Sequence, residues 1–183
     1  LDKIPKKNQM IKKRISQLRH KFKEFGIDGY IIPKNDEFFS EYASKDRLRT
    51  ISNFTGSAGF AVIIKNKNYL FVDGRYTLQA ELESGKQFKI MKYEKILNCR
   101  LFKGLILGVD PKLFTSHLLL NSFKKYNKIK EIEKNLIEDL HNKYPIKSKP
   151  FFSLHENITG ESHLSKIKKV SNYLKRNKKK FLF

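Results

Sequence analysis

Residues 53–81 read NFTGSAGFAVIIKNKNYLFVDGRYTLQAE. Two runs of β-formers, 61–64 and 69–72, flank the short polar stretch KNKN, which predicts a hairpin. Gly56, Ala58 and Gly59 let the backbone turn sharply into the first of these strands. Asp73-Gly74 ends the second strand and admits a left-handed turn. YTLQAELES then has a helical pattern that stops at Gly85. Arg75 and Tyr76 should therefore emerge at the C-terminal end of a strand, beside a helix start, where open α/β sheets place ligands. Two readings of DGRY stay open: Asp73 caps the helix while Arg75 pairs with a carboxylate, or Arg75 and Tyr76 face a ligand.

Outward from this core the alternation of elements continues. On the N-terminal side, Met10, Ile11, Ile15, Leu18, Phe22 and Phe25 fall at helical spacing with a basic outer face, and Gly26 stops that helix. GYIIP, residues 29–33, predicts a short buried strand. NDEFFSEYA predicts a short helix capped by Asn35 or Asp36, and SKDRLRTISNF another capped by Ser44 or Asp46. On the C-terminal side, FKIMKY and LILGVD predict strands, SHLLLNSFKKY a helix capped by Ser116, IKEIE a strand and LIEDLHNKY a short helix. The expected fold is α/β, a mixed β-sheet flanked by helices on both faces. YPIKSKPFF, residues 144–152, has two prolines and no periodicity, as a linker would. Beyond it Leu164, Ile167, Val170 and Leu174 share one helical face, and FLF begins another strand. The expected division is 1–148 as one domain and 149–183 as a linker with the first helix and strand of a truncated second domain.

The 183 residues carry a formal charge of +21, yet only seven of the 39 basic residues are arginine. Base-edge and phosphate recognition favour the planar Arg fork, so dispersed lysines read as solvated faces and argue against a nucleic-acid partner. No apolar run reaches the roughly 20 residues of a membrane helix. The N-terminus lacks both an initiating Met and a signal-peptide core, which suggests a trimmed chain. One cysteine, Cys99, forms no internal disulfide and no Cys-rich zinc site, so a cytoplasmic protein fits best.

The five histidines form no His-Glu-x-x-His pair. His155 and His163, with Glu156 and Glu161 between them, read as a surface cluster. TGSAG resembles a nucleophile elbow only in part, and its helix-before, strand-after context is the reverse of what an elbow needs. It also lacks the Gly-Lys-Ser/Thr of a phosphate loop. No catalytic residue and no metal ligand is assigned.

In order along the chain, DEFFSEYASKDRLRTISNFTGSAGFAVI, LFVDGRYTLQAE, LGVDP and KPFFSLHENITGESHLSKIKKVSNYL resemble the N-terminal part of Xaa-Pro aminopeptidases of the creatinase/prolidase superfamily. The resemblance covers nearly the whole chain. It implies two related α/β domains followed by a catalytic domain with a dinuclear metal site, usually manganese, built from Asp, His and Glu. The activity it implies is removal of the N-terminal residue from peptides whose second residue is proline. This chain should contain no cofactor of its own and be inactive alone, its role being to shape the substrate cleft and domain or subunit contacts. The implied partners are its own C-terminal catalytic domain, the peptide substrate and, in the full-length form, a second copy; no membrane is implied. The candidate cleft or interdomain residues are Asp36, Glu37, Arg75 and Tyr76, with the NDEFFSEY loop. The sequence departs from the family pattern at Asn53, where Gly is expected. The competing implication is an aminopeptidase-like module that has lost catalysis and binds proteins.

Overall fold

A computed structural model describes residues 3–40, 45–98, 102–140, 150 and 152–180. Expectations for Glu41, Tyr42, Ser44, Cys99, His141, the domain boundary at 148, most of the linker and the FLF strand lie outside the described residues. The chain divides into two compact units, Leu1–Tyr144 and Pro145–Phe183.

The first unit begins with α1 (Lys3–Glu24), which starts N-terminal to the apolar pattern that begins at Met10. Ile11, Ile15, Leu18 and Phe22 recur every three to four residues and are all buried, whereas Met10 stands at the stripe's margin, 48% exposed. Then come β1 (Gly29–Pro33), α2 (Arg47–Ser52), β2 (Gly59–Ile64), β3 (Asn68–Val72), α3 (Thr77–Ser84), β4 (Lys89–Lys92), β5 (Ile106–Val109), α4 (Ser116–Leu119) and β6 (Lys128–Glu131). The strands form one mixed sheet in the order β4-β3-β2-β1-β5-β6. β2 runs antiparallel to β1 and β3; the pairs β3/β4, β1/β5 and β5/β6 are parallel.

The period-two alternation of the central strands divides the core in two. Tyr30, Ile32, Ala61, Ile63, Leu70 and Val72 point to one face and pack under α1, α2 and α3. Ile31, Val62, Tyr69, Phe71, Leu107 and Val109 point to the other, against α4 and the turns around Ile96, Phe102 and Leu113. The central strands are buried on both sides, which is why they read as unbroken apolar runs. The outermost strands β4 and β6 expose Lys89, Lys92, Lys128 and Lys130 instead, charges that oppose edge-to-edge pairing.

Four local expectations are corrected. Residues 36–40 form a turn, not a helix, because Asp36 Oδ1 accepts the N–H groups of both Phe38 (3.0 Å) and Ser40 (2.9 Å). Gly74 does not adopt a left-handed turn: Gly74–Tyr76 is one 3₁₀ turn, capped by Asp73, leading into α3. The cap of α4 is Thr115, whose Oγ accepts from Leu118 N, and beyond Leu119 the helix widens into a π-helical turn, Leu120–Lys124. Of LIEDLHNKY, the described residues form only a 3₁₀ turn, Glu138–Leu140.

In the second unit, a short α5 (Glu156–Thr159) precedes α6 (His163–Arg176), capped by Ser162. Leu164, Ile167, Val170 and Tyr173 line one side of α6 and are 43–68% exposed.

Candidate functional site

Because β2 is antiparallel to its neighbours, the C-terminal ends of β1, β3 and β5 share one sheet edge with the start of β2. The loops that leave or enter these strands gather there. All four candidate residues come from these loops, and they form two separate groups.

The first group is built on the loop after β1. The Asp36 carboxylate shapes its own turn, which carries Phe39 at φ +58°. Asn35 Nδ2 ties the loop to Leu113 O at 3.0 Å. Glu37 accepts from Arg47 Nη2 at 2.7 Å, and the same nitrogen donates to Glu138 at 2.7 Å. The Arg47 side chain is only 3% exposed, and its Nε and Nη1 are buried without a hydrogen-bond partner among the described residues. Burial alone would raise both carboxyl groups. For Glu37, hydrogen bonds from its own backbone and from Arg47, with the Arg47 charge, outweigh burial; for Glu138, Arg47 and Lys45 do so. Both are held below the ordinary glutamate range. Beside them Lys34, 8% exposed, pairs with Asp46, which also caps α2 by accepting from Arg49 N.

The second group joins the two loops that flank the hairpin. Tyr76 shares a 2.9 Å hydrogen bond with Ser57, and its ring meets Phe54 edge-on at 5.9 Å. Arg75 Nε donates to Asp73 at 3.0 Å, and its guanidinium lies 5.5 Å from the centre of the Tyr76 ring. The hydrogen bonds from the Arg75 side chain and backbone lower the Asp73 carboxyl. Ser57 pairs with a phenol, not with an imidazole or carboxylate that could activate it as a nucleophile.

Gly56 and Gly59 make this junction possible. A Cβ at Gly56 would lie 2.3 Å from the Phe54 ring, and one at Gly59 would lie 2.7 Å from Phe71 O. Asn53 adopts φ +64° at the C-cap of α2, its N–H bonded to Arg49 O. The glycine expected there is replaced by the side chain that best tolerates a left-handed conformation.

Between the groups lies a cavity of about 360 Å³. Asn35 and Phe39 line it from the first loop, Ser57 and Asp73 from the others. None of the four candidate residues is in its wall; their chain neighbours are. Sequence reasoning also missed Arg47 and Tyr93. The buried state of Arg47 carries no local signal in RLR, and Tyr93 reads as the end of a strand. Among the described residues, no group of three or more His, Cys, Asp or Glu could hold a metal ion. No helix of the described residues is long and apolar enough to cross a membrane.

The geometry agrees with comparisons to known proteins. A probable Xaa-Pro aminopeptidase P from Coprinopsis cinerea is 33% identical over 184 residues, covering 92% of this chain and 30% of the relative. An X-prolyl aminopeptidase from Caenorhabditis elegans, described as a cytosolic enzyme with a di-nuclear active site, superposes with a TM-score of 0.69 at 23% identity, over 92% of this chain and 31% of that one. The N-terminal domain of the cytoplasmic peptidase PepQ from Mycobacterium tuberculosis superposes with a TM-score of 0.55 at 19% identity, over 70% of this chain and 98% of its own. The chain spans 27% to 30% of the length of the curated relatives first matched. The family model for the creatinase/prolidase N-terminal domain matches residues 14–139. With the mixed sheet and its gathered loops, that match establishes that the chain belongs to the creatinase/prolidase N-terminal domain family.

Proposed function

We propose that this chain is the N-terminal, non-catalytic part of a longer cytoplasmic Xaa-Pro aminopeptidase, a metallo-exopeptidase that removes the residue preceding a proline at position two. Residues 1–148 would form its first domain and 149–183 the opening of a second. The metal pair, expected to be manganese, would be held by residues outside this chain, whose own described residues offer no fitting ligand set. The role of this chain would be to wall the substrate cleft and to carry contacts to the catalytic domain or a second subunit. The observation that carries the reading is the convergence of the Asp36–Glu37 and Arg75–Tyr76 loops on one edge of the sheet, beside an open cavity, in a member of this family.

The test compares Xaa-Pro peptide cleavage, with added manganese, by the 183-residue chain and by the longer gene product. Cleavage by the longer product alone is expected. There, Arg75→Ala should raise KM about tenfold, the loss of one charge-assisted contact. Cleavage by neither protein would favour the protein-binding module over the enzyme. Cleavage by the 183-residue chain would overturn the placement of the chemistry outside it.

A further inference from the structure

The cavity beside Asp73 combines aromatic walls with carboxylates. Phe60, 7% exposed, lies in an aromatic frame: it stacks on Phe71 at 4.8 Å and meets Tyr93 and Phe123 edge-on at 5.3 and 5.8 Å. Tyr93 and Phe39 line the same cavity while remaining 39% and 51% exposed, so apolar ring surface is left open towards it. Three charged residues stand in the wall: Lys34, Asp73 and Glu94. Lys34 is buried and neutralised by Asp46. Among the described residues Asp73 pairs with Arg75, whose side chain is 75% exposed, and a pair so open to water is weak. Glu94 has no ion pair among the described residues. In a chain of net charge +21, two of the three charged residues in this wall are acidic.

Rings beside carboxylates recognise a cation on an apolar stem. The stem lies along the rings, the cation meets the ring face, and a carboxylate accepts its N–H groups. A neutral aromatic group would use neither carboxylate. The volume of about 360 Å³ is at the small end for ligand pockets and suits one long side chain. The planar guanidinium, which stacks and forks at once, fits this chemistry better than an ammonium. We infer that the cavity is a subsite for a basic side chain of a peptide, arginine in preference to lysine. Assigning that peptide as the aminopeptidase substrate rests on the function proposed above; the subsite itself does not.

The test titrates the 183-residue chain with N-acetyl-arginine amide, N-acetyl-citrulline amide and N-acetyl-phenylalanine amide, read by amide chemical shifts. Citrulline keeps the shape of arginine and removes its charge. Saturable shifts centred on Phe60, Tyr93 and Glu94 are expected with arginine, and binding about tenfold weaker with citrulline. Glu94→Gln, a change at an exposed residue, should weaken arginine binding several-fold and leave citrulline unaffected. Ala58→Leu, which adds bulk at the cavity wall, should abolish binding. Equal or tighter binding of citrulline or phenylalanine, shifts scattered over surface carboxylates, or no effect of Glu94→Gln would each overturn the assignment. If the arginine shifts persist and the longer protein cleaves no Xaa-Pro peptide, the subsite stands and the aminopeptidase reading falls.

Discussion

Replacing Arg47 by Gln would remove the cation that Glu37 and Glu138 share and leave a partly filled space in the interior. Both carboxylates are more than a third exposed and can rehydrate, so the cost falls short of a fully buried pair, at about 2 kcal/mol. Urea unfolding of the variant measures it; a change below about 0.5 kcal/mol would show that the guanidinium has no structural role. The same pair sets a pH dependence. Glu37 and Glu138 have depressed carboxyl pKa values in the folded state, so their stabilisation is complete above the unfolded value near 4.3 and is lost as pH falls through the folded values. Thermal melts should therefore hold steady from pH 7 to about pH 5 and fall below it, and the Glu37→Gln/Glu138→Gln variant should show a shallower decline. At this scale the sequence was least informative. Asp36, Glu37, Arg75 and Tyr76 lie in loops at one end of the sheet, but none of them lines the cavity there, because that depends on side-chain directions that residue spacing does not encode.

The hairpin is the element on which the sheet is registered. Phe60 faces Phe71, and Val62 faces Tyr69, so a slip of one residue would exchange the two cores. Gly59 guards that register, since its missing Cβ is what lets the Phe71 carbonyl approach. Gly59→Ala should cost about 2–3 kcal/mol, with loss of protection at the Phe60 and Val72 amides in hydrogen exchange. An unchanged midpoint would show that the strand can shift to admit a methyl group. Strands and the longer helices were legible because their periods differ: 3.6 in α1, and short apolar runs bounded by Gly, Pro and polar turns in the sheet. The turn at 36–40 was misread because Asp serves equally as a helix cap and as the anchor of a tight turn, and the choice depends on the residues that follow.

At the scale of the whole molecule, the unit Pro145–Phe183 leaves a stripe of Leu164, Ile167, Val170 and Tyr173 exposed along α6. Exposed apolar stripes of this kind promote association. The chain should show concentration-dependent self-association in sedimentation experiments. Leu164→Glu with Ile167→Glu should abolish it and leave the melting of the Leu1–Tyr144 unit unchanged. Association that survives both substitutions would place the sticky surface elsewhere. The net charge of +21 bears on solubility and nonspecific binding, not on the fold.

The strands, the longer helices and the mixed sheet followed from the sequence alone, because periodicity and turn chemistry are local properties written residue by residue. The order of strands, the division of the core between two faces, the burial of Arg47 and the joining of Ser57 to Tyr76 required the tertiary structure. Each of these depends on which distant segments meet, and contacts between residues 19 or more positions apart, such as Ser57 with Tyr76 or Arg47 with Glu138, leave no trace in local pattern.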